Sequence, residues 1–385
     1  MIKLGVDLQN FKSEYTGGLN SFSLGLLKSL EKKCNLNIYT NKNSFPFLKK
    51  KFPKSNIIIF SKNKFFSLVK YFCIIFNIEK LLRYSENYSL ENLKKKIDND
   101  CDVLYSPLSY LGIYDLKIPT VTSIHDLQHH HFPEFFNIFK LKYRNLMFKL
   151  TMNNSSIIQA STNFIKRDIK KFYPHIKNKK ITIIHEGVSD DFKYSSYYFK
   201  NNNYIFFPAQ LWPHKNHMIV LKALKFLYQS KKLNLKLIMT GGKFSAYKEI
   251  LDFIRKNKHL NISYLGSVSF KKILILYKNC KFLISPSIYE SSSIPILEAC
   301  KIGRPIIASK SESNLEMGKK IKINFFKTNN YIDLAQLILK IWDNKKLLTS
   351  QVDKNKKIIK QYSWDNISNE YLKLFINISS KKFNF

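Results

Sequence analysis

The segment at residues 282–304, FLISPSIYESSSIPILEACKIGR, contains the elements of a parallel sheet covered by helices. Residues 282–285 form a short apolar run with the length of a buried strand. A serine-rich loop follows, and Pro295 then opens an apolar helical stretch, because proline is tolerated in the first turn of a helix. Strand, loop and helix in this order predict one step of a doubly wound α/β sheet.

The same alternation of apolar runs and helical patterns fills the chain of 385 residues. In the first half it predicts strands at 2–7, 36–39, 57–60, 103–106, 120–124, 157–160 and 181–184, and helices at 20–32 and 163–172. In the second half it predicts strands at 204–208, 236–240, 262–265 and 282–285, and helices near 218–229 and after residue 295. The polar run at 189–203 is the expected linker. The pattern predicts an α/β protein with two Rossmann-like doubly wound domains, residues 1–190 and 203–360, facing a central cleft that holds the ligand.

The chain is strongly basic, with 64 Lys plus Arg against 27 Asp plus Glu and a formal net charge of +37. Such a charge favours an anionic partner, for which nucleic acid, phospholipid and sugar nucleotides all qualify. The composition is also typical of an AT-rich genome, which explains part of the charge without selection. Nucleic-acid recognition is disfavoured because it relies on arginine, and the arginines are few: Arg83, Arg144, Arg167, Arg255 and Arg304.

Cysteine usage and the N-terminus predict a location in the cytoplasm. The five cysteines, at positions 34, 73, 101, 280 and 300, show no CxxC or other close spacing, which argues against a disulfide framework or a zinc site. The chain starts directly with a strand pattern and without a signal peptide. The apolar segment 65–82 is interrupted by charges, so it predicts either an interfacial helix in contact with anionic membrane or a helix buried in its own domain.

Two acidic residues lie in the segment at 282–304. We expect Glu290 on the loop after the strand and Glu298 in or near the first turn of the following helix, which Ser291, Ser292 and Ser293 can cap. Free backbone N–H groups at this helix start suit a phosphate or a sugar oxygen. Carboxylates beside them suit sugar hydroxyls or a cationic anomeric centre. The alternative is that both acids only cap the helix and interact with its dipole.

Three further segments carry candidate residues. Lys215, in FPAQLWPHKNH at 207–217, follows a strand end and can neutralise a diphosphate without a metal, or can be a surface lysine. His125 also follows a strand and can orient a substrate group, with its tautomer fixed by Asp126. The three histidines at 129–131 lack HxxxH spacing, so no metal site is predicted. At the glycine pair 17–18, the backbone of Gly18 can come close to an anion; alternatively, the two glycines only form a turn.

Taken in order, these segments resemble glycosyltransferase family 4, whose members have the GT-B fold. The resemblance extends over nearly the whole chain, and its most specific part is the E-x7-E pattern of Glu290 and Glu298 followed by Ala299 to Pro305. It also includes the glycine loop at 17–18, the segment 122–126, the helix start at 161–164 and residues 184–188. The final segment at 362–365 resembles the start of the family's last helix, about 364–380, which packs back on the first domain.

The resemblance implies roles for individual residues. Glu290 is expected at the donor sugar, in an electrostatic role, Lys215 at the diphosphate and His125 across the cleft near the transferred sugar. The other residues implied around the donor are Glu298 at the ribose, Gln210, Gly18, Ser292, Ser293, Ile294 and Gly241. The chain departs from the family at two places. Gln210 stands where arginine is frequent, and serines 291–293 replace Gly-Phe-Gly, so leaving-group stabilisation and the shape of the sugar pocket are expected to differ.

By this resemblance the chain is expected to be a retaining, metal-independent hexosyltransferase without a cofactor. The segment 208–217 is similar to that of bacterial surface-polysaccharide mannosyltransferases. GDP-mannose is therefore the first donor expected, and a growing, lipid-linked surface glycan such as O-antigen or capsule is the expected acceptor. The location is the cytoplasm, with peripheral contact to the inner face of the membrane. The alternative is a catalytically silent partner subunit that binds nucleotide sugars. A nucleic-acid partner is excluded because lysines are spread uniformly along the chain.

Overall fold

The computed structural model describes residues 1–13, 17–60, 64–176, 180–196 and 203–380. Within this part of the chain, the side chains of residues 64, 65, 67 and 180 are not described. The chain forms two compact units. The first comprises Met1–Gly187 together with the C-terminal segment from Trp364, and the second comprises Val188–Ser363.

The first unit contains a sheet of seven parallel strands. In chain order they are β1 (Lys3–Leu8), β2 (Asn35–Thr40), β3 (Asn56–Ile59), β4 (Val103–Ser106), β5 (Thr120–Ile124), β6 (Ile157–Ala160) and β7 (Lys180–Ile183). Their order across the sheet is β3-β2-β1-β4-β5-β6-β7. The strand sequence runs outward in both directions from β1 and β4, as in a doubly wound fold. The loops after β1, β4 and β5 therefore lie side by side at one edge.

Helices pack on both faces of this sheet, so its central strands are buried on both sides. They are α1 (Gly18–Leu30), α2 (Phe45–Lys51), α3 (Lys64–Phe76), α4 (Glu79–Ser89), α5 (Glu91–Asp100), α6 (Gln128–His131), α7 (Ile138–Asn154) and α8 (Asn163–Phe172). The apolar segment 65–82 forms two helices, α3 and α4, instead of the single one expected. Asn77 separates them with a positive φ of 56°, a conformation that asparagine tolerates better than most residues.

The second unit repeats the architecture with six parallel strands. They are β8 (Tyr204–Pro208), β9 (Lys236–Thr240), β10 (Ile262–Tyr264), β11 (Phe282–Ser285), β12 (Ile306–Ser309) and β13 (Asn324–Phe326), in the order β10-β9-β8-β11-β12-β13. The helices are α9 (His217–Lys231), α10 (Tyr247–Lys256), α11 (Phe270–Asn279), α12 (Ile294–Ile302), α13 (Glu312–Gly318), α14 (Tyr331–Trp342) and α15 (Lys345–Ile358). Since β8 and β11 are neighbours, the loops that follow them meet at the carboxyl edge of the sheet.

The last helix, α16 (Trp364–Ser379), returns to the first unit and packs on α1. Trp364 is buried in the core of that unit and lies against Gly25, where an added Cβ would come within 2.3 Å of the indole Nε1. Lys33 holds the start of α16, because its Nζ lies 2.8 Å from the Asp365 carboxylate and 2.8 Å from the Ser368 hydroxyl. A segment at the far end of the sequence therefore completes the first core.

Candidate functional site

An ion pair lies at the carboxyl edge of the second sheet. Lys215 ends a short 3-10 turn between β8 and α9, and Glu290 lies in the loop between β11 and α12. The Lys215 Nζ is 2.5 Å from the Glu290 Oε1, and the two side chains are 21% and 12% exposed. The N–H of Ile288 donates to the His214 carbonyl at 2.9 Å, so the two loops are also joined through their backbones. The fold thus brings together the two residues that the sequence placed at the chemistry.

The ammonium group of Lys215 has three N–H donors, whereas the contact with Glu290 uses one of them. Asn216, directly after it, adopts the left-handed conformation with φ of 57°, which turns the chain into α9. Its amide donates to the Asn329 side chain at 3.0 Å. The lysine is therefore held by a fixed turn rather than by a flexible surface loop, and it can bind an anion while paired with the carboxylate.

Glu298 is the fifth residue of α12, just past the first turn and near the place that the sequence predicted. The Tyr277 hydroxyl on α11 donates to the Glu298 Oε2 at 2.6 Å. Burial raises the pKa of Glu298 to about 7, while this hydrogen bond acts in the opposite direction. The alternative that both acids cap the helix is wrong, since Glu290 pairs with Lys215 and Glu298 accepts from another helix.

Ser293 does not cap α12 as predicted. Ser293 precedes the helix and is fully buried, but its side chain does not cap it; its hydroxyl lies 3.1 Å from that of Ser285. The backbone N–H of Ile294 donates to the Ser292 carbonyl at 3.2 Å, and that of Ile296 donates to the Ser293 carbonyl at 3.0 Å. Part of the helix start expected to bind an anion is therefore occupied within the loop itself.

Gln210 and Gly241 follow the neighbouring strands β8 and β9. Gly241 has a φ of 144°, and a Cβ there would lie 2.1 Å from the Ala209 carbonyl oxygen, so only glycine fits. The Gln210 amide oxygen accepts a hydrogen bond of 3.1 Å from the Trp212 indole. The indole in turn stacks on Phe244 with ring centroids 4.0 Å apart. A neutral amide thus occupies the position where the family frequently has a second cation.

His125 lies in the first unit, directly after β5, and is buried. Its Nε2 is 2.8 Å from the Pro107 carbonyl oxygen and its Nδ1 is 3.4 Å from the Glu186 Oε1. The sequence assigned the neighbouring acid to Asp126, and this is wrong because Asp126 pairs with Arg144 at 2.5 Å. Both ring nitrogens of His125 therefore contact protein acceptors. Glu186 was missed as a site residue, although a buried acid after the last strand of a domain was a usable signal.

Gly18 is the first residue of α1, and Gly17 precedes it in an extended conformation. Thr16, the residue before this pair, lies outside the described residues. The three adjacent histidines form α6, where His129 stacks on Phe148 with ring centroids 5.0 Å apart and His131 pairs with Asp168 at 2.6 Å. In the described part of the chain, no group of three or more His, Cys, Asp or Glu residues is arranged to hold a metal ion.

Two doubly wound parallel sheets define the GT-B class of glycosyltransferases, and solved structures confirm this fold. HepE from Anabaena, solved in complex with UDP-glucose, superposes with a TM-score of 0.71 over 98% of this chain and 100% of its own, at 15% identity. WaaG, described as a glycosyltransferase involved in lipopolysaccharide biosynthesis, superposes with a TM-score of 0.70 over 98% and 100%, at 13% identity.

Two sequence families match consecutive parts of the chain. Residues 16–192 match "Glycosyltransferase Family 4", and residues 190–361 match "Glycosyl transferases group 1". Together the two matches extend over residues 16–361 and identify a glycosyltransferase similar to family 4. This confirms the family inferred from the glycine loop, the strand-end histidine segment and the E-x7-E pattern, whereas the roles of the individual site residues stay predictions.

Curated relatives share part of the chain. The O-antigen chain mannosyltransferase RfbU of Salmonella typhimurium is 29% identical over 195 residues, which are 50% of this chain and 52% of that protein. An uncharacterized glycosyltransferase of Methanocaldococcus jannaschii is 27% identical over 222 residues, or 57% and 58% of the two chains. The chain therefore spans just over half the length of these relatives.

Proposed function

We propose that this protein is a retaining glycosyltransferase that moves a hexosyl group from a nucleotide diphosphate sugar to a hydroxyl of a growing surface glycan. The observation that carries the proposal is the Lys215–Glu290 pair at the carboxyl edge of the second sheet. Ligands of doubly wound folds bind at this edge. A cation and a carboxylate held 2.5 Å apart there match the two charges that develop when a glycosyl phosphate bond breaks.

In the proposed reaction, the bond between the anomeric carbon and the diphosphate oxygen breaks as the acceptor hydroxyl oxygen forms its bond from the same face. Lys215 stabilises the negative charge on the departing diphosphate, and Glu290 stabilises the positive charge at the anomeric carbon. The acceptor proton passes to the departing diphosphate oxygen, so the step needs neither a protein base nor a covalent intermediate. Because the lysine supplies the cation, no metal is required.

We propose GDP-mannose as the donor, supported by the similarity to RfbU and to O-antigen chain mannosyltransferase B of Escherichia coli. Their names refer to the O-antigen chain, which supports a growing surface glycan as the acceptor, and we propose that this glycan is lipid-linked. HepE was solved with UDP-glucose, so UDP-glucose is the second donor to be compared with GDP-mannose.

The test incubates purified protein with GDP-mannose, UDP-glucose and other nucleotide sugars. It measures the melting temperature of the protein and the release of nucleoside diphosphate. If no donor raises the melting temperature, the enzyme function is refuted. If a donor binds without turnover in the presence of lipid-linked acceptors, the silent partner subunit is favoured.

Two substitutions test the roles of the pair. Glu290→Gln keeps the shape of the side chain and removes its charge, so we expect turnover to fall by about 10²–10³-fold, the usual loss for one transition-state contact. Lys215→Ala should reduce turnover by a similar factor and also weaken binding of the diphosphate. The controls are Glu249→Gln and Lys248→Ala, which change exposed residues on α10 of the same unit. Equal activity of Glu290→Gln and its control would refute the electrostatic role.

Peripheral membrane contact is proposed for an apolar surface on α3, α4 and α7. No helix in the described part of the chain is long and apolar enough to cross a bilayer. The surface nevertheless exposes large apolar and aromatic side chains, and Leu68 and Phe76 are 71% and 61% exposed. Its other exposed members are Tyr71, Phe72, Leu81, Tyr84, Tyr88 and Ile138. A cluster of this kind on a strongly basic protein suits the interface of an anionic membrane.

Vesicle binding tests the membrane contact. Within the apolar segment 65–82, Phe65 has a side chain outside the described part and Phe66 is half-buried, so the exposed Leu68, Phe72 and Phe76 are the targets. Changing these three to serine should reduce co-sedimentation with vesicles of phosphatidylglycerol at low salt. Ile376→Ser, at an exposed position on α16, is the control. Binding that neither the triple change nor added salt weakens would exclude this surface as the contact.

A further inference from the structure

Tyr277 is buried in the second unit beside the helix that carries Glu298. It lies near the end of α11, is fully buried, and packs its ring against Phe206 and Phe192 with centroids 5.0 and 5.6 Å away. The Arg304 guanidinium, itself buried, donates to the Tyr277 carbonyl at 3.1 Å. Backbone and ring are thus both fixed, so the hydroxyl has a defined direction, and in that direction lies the Glu298 Oε2 at 2.6 Å.

We propose that Tyr277 is a positioning residue for the nucleotide: it holds Glu298 as a correctly oriented carboxylate, so that the protein keeps its affinity for nucleotide sugars to a lower pH than it would without the Tyr277 hydroxyl. This inference rests on the proposed function, in which Glu298 accepts hydrogen bonds from the ribose. A carboxylate has two oxygens. The Tyr277 hydroxyl occupies Oε2, and Oε1 is assigned to the ribose hydroxyls.

The direction of the hydrogen bond follows from the burial of both groups. Burial and the nearby carboxyl raise the pKa of Tyr277 well above its ordinary value, so the phenol keeps its proton and donates it. Glu298 accepts most strongly as a carboxylate. Removal of the Tyr277 hydroxyl would leave a half-buried carboxyl without this donor, which favours its protonated form. A protonated Glu298 accepts hydrogen bonds from the ribose hydroxyls less strongly than the carboxylate does.

The surroundings of Glu298 set the pH range. Burial raises its pKa to about 7, and Tyr277 on α11 lowers it. Cys280 and Arg304 lie next to Tyr277, and Cys300 and Tyr362 belong to the same buried core. Burial raises the pKa of both thiols, so they stay neutral near pH 7. The carboxylate fraction thus rises from about a tenth at pH 6 to about nine tenths at pH 8, and affinity should rise by about tenfold over that interval.

The test measures the dissociation constant of a nucleoside diphosphate sugar by calorimetry at pH 6, 7 and 8. A nucleotide sugar is used because both of its phosphates keep their charge over this range. The parent protein should bind about tenfold more tightly at pH 8 than at pH 6, and Glu298→Gln should bind weakly at all three values. Tyr277→Phe should bind severalfold more weakly than the parent at pH 7 and recover part of the loss at pH 8.

The matched control is Tyr204→Phe, which removes the hydroxyl of another buried tyrosine that donates to the Leu276 carbonyl at 2.8 Å. A Tyr277→Phe protein with the parent's pH profile, or with losses equal to those of Tyr204→Phe at every pH, would overturn the inference. If Tyr277→Phe does not fold, a pH-independent affinity of the parent overturns it instead. Failure of the parent to bind any nucleotide sugar would refute the proposed function, which is a different result.

Discussion

Replacing Gly241 by alanine should destabilise the second unit by an amount that can be worked out from its surroundings. The added Cβ would lie 2.1 Å from the Ala209 carbonyl oxygen, which belongs to the backbone and cannot rotate away. The φ of 144° alone disfavours a side chain by about 1–3 kcal/mol. To relieve the clash, the ends of β8 and β9 must move apart. This movement weakens two hydrogen bonds between the loops, each worth about 1 kcal/mol. They run from Ala209 N to Thr240 O and from Leu211 N to Gly242 O. The total is about 3–5 kcal/mol.

Gly266→Ala is the matched comparison for this change. Gly266 also has a positive φ, of 68°, but nothing lies within 4 Å of its added Cβ, so only the backbone strain of about 1–2 kcal/mol applies. Hydrogen exchange read by mass spectrometry on peptides from β8 and β9 reports the local opening free energy in the intact chain. The Gly241 variant should lose about 1–4 kcal/mol more protection there, which is the difference between the two totals. Equal losses in the two variants would show that the close approach of the two loops is unimportant.

Two further predictions concern the first unit. Gly25→Ala places a Cβ within 2.3 Å of the Trp364 indole. This overpacking should lower the free energy of unfolding by about 1–3 kcal/mol and increase hydrogen exchange in α16. Unchanged hydrogen exchange in α16 would contradict the packing of Trp364 on Gly25. The His125 Nδ1 lies 3.4 Å from the Glu186 Oε1, and its Nε2 lies 2.8 Å from the Pro107 carbonyl oxygen. Glu186→Gln replaces the carboxylate at this contact by an amide, so nitrogen NMR should show a changed chemical shift for the His125 ring and turnover should fall; an identical spectrum would rule out the pair.

The positions of most strands could be predicted because parallel strands are buried on both faces and appear as uninterrupted apolar runs. The bounds of β4, β5, β6, β8, β9 and β11 agree with the sequence patterns. The strands β12 and β13 were not predicted. The first has only four residues directly after the turn at Pro305, and the second has three, two of them half-buried at the sheet edge. Only three residues separate the end of α12 from the start of β12, so the apolar sequence of the helix continues almost directly into the strand.

The site could be predicted to the extent that it depends on strand ends. Lys215 and Glu290 were expected together because each follows a strand, and the neighbouring positions of β8 and β11 bring them to 2.5 Å. The partner of Glu298 was not predictable, because Tyr277 lies on a different helix and the chain contains 22 tyrosines. The acid beside His125 was misassigned for a similar reason: sequence proximity favoured Asp126, whereas the sheet order brings in Glu186.

Because α16 packs on the first unit, that unit stays incomplete on the ribosome until the end of the chain has been synthesised. Gly187 is added to the growing chain 177 residues before Trp364. At about 5–20 residues per second, this delay is about 9–35 s. Throughout this interval the nascent first unit carries an uncovered apolar face on α1, where Trp364 and Tyr371 will later pack against Phe22. The second unit is synthesised during the same interval. The first unit is therefore made first but completes its folding last, and we expect a chaperone to bind its uncovered apolar face until then.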